Sequence, residues 1–417
     1  MSKPRQAVIL CGGEGTRLKP YTNSIPKPMI LCNKKPFLWY LLNQLNDEGI
    51  DRFVLLTGYL GEKIKDYFGN GNNWGWKIDY SIGPVKWDTG KRIWEARNLF
   101  DNCFLLLYSD NFVTFSLNKL FEAHQNNNKS LTFMVSPKIP GNVELDEHGI
   151  VKKYDNCRSS NSLEYVEIGY MIVEKEKTLS FYESADCSFS IILKKMSEQQ
   201  QINSYIQHDS YHSISDPSRW KNTEEYLTPK KIILIDRDGV INKKSFKGEY
   251  VTNWSSFQWI PETRIAMRLL AEAGFKFVVI TNQAGVARRM INPADLAIIH
   301  QNMKDELLND GVEVLDVYLC PHHWDENCDC RKPKPGMFYQ VSKDWMLRID
   351  KTIFIGDDPR DCQAAFNAGC KSVFIGNALE LKKLSVREMP DFKFANLLDG
   401  VPTLIEYFNY NTDHDYN

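Results

Sequence analysis

Two stretches of this chain carry residue types at spacings that suit phosphate chemistry. The first is Gly12-Gly13-Glu14-Gly15-Thr16-Arg17, which follows an aliphatic run and is answered ten residues later by Lys27 in Pro26-Lys27-Pro28-Met29. Glycines let the backbone turn sharply and approach a ligand, and successive N–H groups in such a turn form an anion-binding concavity. Arg17 adds a planar fork of donors and Lys27 a point charge. The second stretch is Asp236-Arg237-Asp238-Gly239, directly after Ile232-Ile233-Leu234-Ile235. A buried strand there delivers two carboxylates to one side of its end. Like charges so close call for a cation, so Mg²⁺ is implied, with one carboxylate able to attack phosphorus and the other to pass protons.

Other residues extend both sets. Asp110 ends the apolar run 104–108 and suits either a Mg²⁺ ligand or the N-cap of the next helix. Thr281, Asn282 and Gln283 end another aliphatic run with a hydroxyl and two amides, suited to phosphate oxygens. Asp357 ends a third such run. Cys320, His322, Cys328 and Cys330 form C-x-H-x₅-C-x-C, a closed set for tetrahedral, structural Zn²⁺, with His323 as the competing ligand. Such a site clamps the loop that carries Arg331 and Lys332.

These residues need strand ends to hold them, and the patterning supplies strands. Short apolar runs at 7–11, 53–57, 78–82, 104–108 and 132–135 alternate with amphipathic stretches at 36–47, 62–68, 93–99 and 117–125, the rhythm of an α/β fold with a mostly parallel sheet. In such sheets ligands bind beyond the carboxyl ends of the strands. At 417 residues the chain exceeds one core, and a polar helix followed by Thr-Pro-Lys-Lys places a boundary between domains 1–228 and 229–417. A net charge of −2 points to no nucleic-acid or membrane partner. No apolar run reaches about 18 residues and no leader-like segment opens the chain, so a cytoplasmic protein is expected, with homo-oligomerisation left open. Clustered cysteines in that compartment read as metal ligands rather than disulfides.

The string G-G-x-G-T-R-L-x-P-x-T-x-x-x-P-K-P-M over residues 12–29 resembles the signature of sugar-1-phosphate nucleotidyltransferases. The resemblance covers residues 1–228 and implies a Rossmann-like domain with a mixed, mainly parallel sheet. It implies Gly12, Gly13, Gly15 and Thr16 at the phosphates, Arg17 and Lys27 in catalysis, and Asp110 on Mg²⁺. It also places Thr89 and Gly90 at the nucleotide and Gly141, Glu167 and Gly169 at the sugar. Asp88 and Lys91 depart from small residues usual there, and Thr89-Gly90-Lys91-Arg92 is similar to the T-G-G-R string of cytidylyltransferases. The second metal-binding aspartate is missing from Ser213-Ile-Ser-Asp-Pro-Ser-Arg-Trp220, which leaves Asp216, Asp209 or Asp110 alone for the ion.

The string D-x-D-G-x-[IV]-N at 236–242 resembles motif one of haloacid dehalogenase phosphatases, and the knot at 320–330 narrows this to the histidinol-phosphate and heptose-bisphosphate branch, without a large cap. That resemblance implies Asp236, Asp238 and Asp357 on Mg²⁺, Lys332 offsetting charge, and Thr281, Asn282 and Arg331 at substrate. Ala287-Arg288-Arg289 and a short loop between His322 and Cys328 depart from the branch. Together the two likenesses imply a bifunctional enzyme of nucleotide-activated heptose synthesis: the second domain makes heptose 1-phosphate and the first couples it to a nucleotide, with GTP favoured. The alternatives are another sugar with CTP or UTP, or a transferase half serving as a phosphate-binding regulatory module.

Overall fold

The computed structural model describes residues 2–246 and 249–416, the last six of these by backbone alone, and divides into two compact units, Met1–Leu227 and Thr228–Asn417. In the first, four parallel strands lie in the spatial order Lys77–Ile82, Arg52–Thr57, Gln6–Cys11 and Cys103–Tyr108. Tyr165–Glu174 then runs antiparallel to Cys103–Tyr108 and also pairs with Leu131–Pro137, making a mixed sheet of nine strands. Gln6–Cys11 is buried at every position, so its aliphatic side chains pack on both faces and its carboxyl end is fixed inside the sheet. Gly12 follows at once. Beside it, Ser109 Oγ donates to Leu10 O at 2.6 Å, tying the end of the neighbouring strand to the same edge.

The helix expected over 93–99 spans Thr89–Ala96 instead, with a 3₁₀ turn at Arg97–Leu99. Its earlier start has a local cause, because Asp88 is the N-cap and its Oδ1 accepts from Thr89 N at 2.7 Å.

The second unit is a six-stranded parallel sheet in the order Val314–Cys320, Lys276–Asn282, Ile232–Ile235, Ile353–Gly356, Lys371–Ile375, Phe392–Phe394. Alternation along Ile232–Ile235 sends Ile233 and Ile235 into one hydrophobic cluster and Ile232 and Leu234 into another, one on each face. The two carboxylates of Asp236 and Asp238 therefore emerge from a strand held on both sides and near the sheet's centre. Among the described residues no helix is long and apolar enough to cross a membrane.

Candidate active sites

At the carboxyl edge of the first sheet a cleft of about 460 Å³ is lined by Gly12, Gly13, Gly15, Thr16, Arg17, Lys27, Asp110, Thr89 and Trp87, among others. The glycines differ in what they do. Gly15 sits at φ +63°, and Gly12 has no room for a Cβ because the Arg92 guanidinium fills that space, whereas a Cβ at Gly13 would meet open space. Lys27 Nζ lies 2.6 Å from Asp110 Oδ2. The next helix, Leu117–Asn127, is capped by Ser116, so the capping role considered for Asp110 belongs to that serine.

The segment 212–216 runs beside Asp110: Ser213 pairs with Asn111, and Ile214 N donates to Asp110 O at 3.0 Å. What this segment presents to the cleft is Ser215. Asp216 turns away to accept from Arg219 N at 3.0 Å at a helix start, and Asp209 is buried, accepting from Thr114 Oγ1 at 2.7 Å. Neither Asp216 nor Asp209 thus joins Asp110 in the cleft, where this segment contributes Ser215.

The sugar-side residues are arranged otherwise. Glu167 is buried and accepts a short hydrogen bond from Gly169 N; burial pushes its carboxyl up to about 8, with the Asp110 charge adding to the rise. Gly169 itself packs on Tyr108, which lines the cleft. Gly141 donates its N–H to Leu163 O at 2.7 Å, and a Cβ there would strike Tyr165 O, so its small size serves backbone approach. Gly90 is pressed against Cys187 O, while Thr89 Oγ1 accepts from Phe189 N at 2.9 Å.

In the second unit Lys332 Nζ, 3% exposed as a residue, sits 3.0 Å from Asp236 and 2.8 Å from Asp361 and donates to Ile280 O at 2.9 Å. Carboxylate oxygens of Asp236, Asp357 and Asp361 all lie within 4.8 Å of one another. Burial pushes Asp236 up to about 7, with Lys332 pulling it down and the other aspartates pushing it up, and burial raises Asp357 to about 6 against the pull of Lys244. Asp357 Oδ1 is buried without a hydrogen-bond partner. Hard carboxylate oxygens, mutual repulsion and an orphaned acceptor together fit a divalent cation of the Mg²⁺ kind. Gly239, at φ +97°, leaves the space that Asp357 occupies.

Asp238 faces elsewhere. Its carboxylate accepts from Arg237 Nη2 at 2.8 Å, Asn242 Nδ2 at 3.0 Å and Gln283 Nε2 at 2.7 Å; despite burial, these donors hold it below the usual carboxylate range. Arg237 is backed in turn by His300 at 2.8 Å. Thr281 is buried and accepts from the same Gln283, and Asn282 brackets the lysine loop by bonding Lys332 N and O at 3.1 Å each. Arg331 joins Lys244, Arg288 and Arg360 around a cleft of about 420 Å³ that Asp238 also lines. Sequence reasoning missed Asp361, four residues past Asp357 in the first turn of the helix Pro359–Ala368, where a carboxylate so soon after the strand end was the available signal. It also assigned no role to Arg92, whose environment lies in three separate segments.

Cys320 Sγ lies 3.6 Å from Cys328 Sγ and 3.7 Å from His322 Nδ1, which is 3.2 Å from Cys330 Sγ; Cys330 and Cys328 are 3.4 Å apart. Ligands at Zn–S of about 2.3 Å and Zn–N of about 2.0 Å on a tetrahedron stand roughly 3.5–3.8 Å apart, so this donor set fits zinc. His323 instead caps the Trp324–Glu326 turn and contacts Asp325 at 3.2 Å.

Both sites are built from strand-end loops that gather cations and carboxylates, the architecture of phosphate-transferring α/β enzymes. Sequence comparison agrees unit by unit. Residues 6–169 match the nucleotidyl transferase family and residues 231–396 the polynucleotide kinase 3 phosphatase family. The D-glycero-alpha-D-manno-heptose-1,7-bisphosphate 7-phosphatase of Mycobacterium tuberculosis is 36% identical over 156 residues, 35% of this chain and 80% of the relative. The D-glycero-beta-D-manno-heptose-1,7-bisphosphate 7-phosphatase of Rhodopseudomonas palustris is 39% identical over 143 residues, 33% of this chain and 78% of the relative. Among solved structures, HddC from Yersinia pseudotuberculosis is 23% identical, with 54% of this chain and 99% of that chain covered and a TM-score of 0.47. The chain therefore belongs, through its second unit, to the haloacid dehalogenase-like family of these heptose-bisphosphate phosphatases, and its first unit is a nucleotidyl transferase domain. It is an enzyme with two activities, nucleotidyl transfer and phosphomonoester hydrolysis.

Proposed function

We propose that the second unit removes the 7-phosphate of a heptose 1,7-bisphosphate and that the first unit joins the resulting heptose 1-phosphate to the nucleotidyl group of GTP, releasing pyrophosphate. One observation carries this reading: a nucleotidyl transferase domain shares its chain with a phosphatase domain whose relatives act, by their names, on a heptose 1,7-bisphosphate. The product left by losing the 7-phosphate is the kind of sugar 1-phosphate that a nucleotidyltransferase consumes.

In the hydrolytic half Asp236 Oδ attacks phosphorus and breaks its bond to the sugar oxygen, to which Asp238 gives a proton; water, losing a proton to Asp238, then displaces Asp236 from phosphorus and orthophosphate leaves. Lys332 offsets the charge on Asp236 as the phosphate arrives, the Thr281 hydroxyl is offered to its oxygens, and Asn282 holds the lysine loop. Asp236 and Asp357, with Asp361 beside them, would hold Mg²⁺, which would supply further charge neutralisation, while Asp238 stays on its own donors. Arg331, with Arg288 and Arg360, offers the cleft's cations to the phosphate that is kept. The zinc set holds the loop of Arg331 and Lys332 in place.

In the transfer half the sugar phosphate attacks the α-phosphorus in line. Backbone N–H groups at Gly12, Gly13 and Gly15, the hydroxyl of Thr16, Arg17 and Lys27 stabilise the departing pyrophosphate, and Asp110 would hold a Mg²⁺ arriving with the triphosphate, which would neutralise further phosphate charge. Thr89 and Gly90 shape the nucleotide wall, and Gly141, Glu167 and Gly169 the sugar side. Catalysis here comes from positioning and electrostatics.

The test presents heptose 1,7-bisphosphate, as each anomer, with GTP, ATP, CTP or UTP and follows orthophosphate and pyrophosphate separately. Pyrophosphate from GTP supports the reading. Its appearance with CTP or UTP alone replaces the base, a possibility tied to Thr89-Gly90-Lys91-Arg92. Orthophosphate without pyrophosphate from any nucleotide would make the first unit a phosphate-binding regulatory module.

A further inference from the structure

Arg92 belongs to the helix Thr89–Ala96, yet it is 5% exposed and its guanidinium is spent on main chain. Nη1 donates to Thr57 O at 2.7 Å, and Nη2 reaches Pro84 O at 2.8 Å, Val85 O at 3.3 Å and Gly12 O at 3.4 Å. Those carbonyls come from three separate segments: the glycine loop, the end of Arg52–Thr57, and the stretch before Trp87 and Asp88. Two of them, the glycine loop through Gly12 and the 84–88 stretch through Val85 and Trp87, line the cleft, and the end of Arg52–Thr57 lies behind them. Gly12 and Gly58 are both held against the guanidinium, and a Cβ at Gly58 would lie 2.6 Å from Nη2.

Buried carbonyls require donors. A loop that offers its N–H groups to a polyphosphate turns carbonyls the other way, and those carbonyls need a partner behind it. Tyr59 N, at 3.2 Å, and Arg92 share that task at Gly12 O, and the rigid planar fork of Arg92 spans the acceptors of the other two segments at the same time, which an ammonium on a flexible stem does not. We infer that Arg92 is a positioning residue for the nucleotide: it registers the glycine loop against the 84–88 segment, and so sets triphosphate affinity without touching the reacting atoms. This inference rests on the transferase reading above.

The experiment compares the full chain with Arg92→Lys and Gly58→Ala, using the nucleotide the wild type turns over best together with heptose 1-phosphate. A misregistered loop should raise KM for the triphosphate about tenfold or more in both variants. KM for the sugar phosphate should stay within about twofold, because the sugar side is built from other segments. Orthophosphate release by the second unit serves as an internal control and should not change. If Arg92→Lys does not fold, as judged by its melting temperature, Gly58→Ala carries the same comparison with the arginine retained. An unchanged triphosphate KM in the folded variants, or a fall confined to kcat together with a lower melting temperature, overturns the inference in favour of a purely structural arginine. Restoration of wild-type KM by Arg92→Lys also overturns it, since charge alone would then suffice. A wild-type chain that releases no pyrophosphate with any nucleotide refutes the transferase reading itself, before any variant is compared.

Discussion

Lys27 holds its ammonium 2.6 Å from Asp110 Oδ2, with 15% and 29% of the two side chains exposed. The carboxylate that faces the glycine loop is thus paired with one of the loop's cations. On the proposed transferase reading, a triphosphate entering with its cation would offer each member of this pair a stronger partner, the ammonium taking phosphate oxygens and the carboxylate the ion.

Loss of either partner should therefore strike the transfer step. Asp110→Asn is expected to lower the rate of pyrophosphate release by about 10²- to 10³-fold, the usual range for removing a group that stabilises developing charge. Orthophosphate release from the bisphosphate should continue at the wild-type rate. Separate assays of the two products check this, and a parallel loss of both would tie the sites together.

Asp236→Asn should reverse the pattern. Without the nucleophile, orthophosphate release should fall by at least about 10⁴-fold, while pyrophosphate release from supplied heptose 1-phosphate is retained. Gly239→Ala should act in the same direction, because a Cβ there collides with the Asp357 carboxylate at a backbone angle of +97°. Melting curves of both variants distinguish lost chemistry from lost fold.

Glu167 predicts a pH signature. Its folded-state value of about 8 exceeds the ordinary 4.5, so the native form keeps a proton that the unfolded chain gives up. The stability this contributes is complete below pH 4.5 and is lost as pH rises to 8. Glu167→Gln removes the ionisation and should melt several degrees above wild type at pH 8.5, each unit of displacement being worth about 1.4 kcal/mol. Near pH 4 the difference should vanish. A constant offset across that range would show that packing, not ionisation, governs the site.

Zinc removal should be selective. About one equivalent of zinc per chain is expected by elemental analysis, and Cys328→Ser should lose most of it. Because the knot leads directly into Arg331 and Lys332, that variant should also lose orthophosphate release while pyrophosphate release persists in added Mg²⁺. Retained zinc in Cys328→Ser would point to a different ligand set.

Local pattern in the chain sufficed for the strands and for the loops at their ends. Ile232–Ile235 is uniformly aliphatic and short, so it had to be a buried strand, and the residues after it had to emerge at a sheet edge. The same logic holds for Gln6–Cys11 and the glycine string. Spacing also sufficed to group Cys320, His322, Cys328 and Cys330, whose donors lie close together within one short loop. What spacing could not decide was where side chains turn when their partners are distant in sequence. Asp238 points to Gln283, Lys332 chooses Asp361 besides Asp236, and Asp216 spends itself on a helix start. From the 212–216 segment Ser215 rather than Asp216 lines the cleft, and Arg92 joins carbonyls from three segments. Each of those outcomes depends on burial and on which unpaired group lies nearest in space, and only the folded chain brings those groups together.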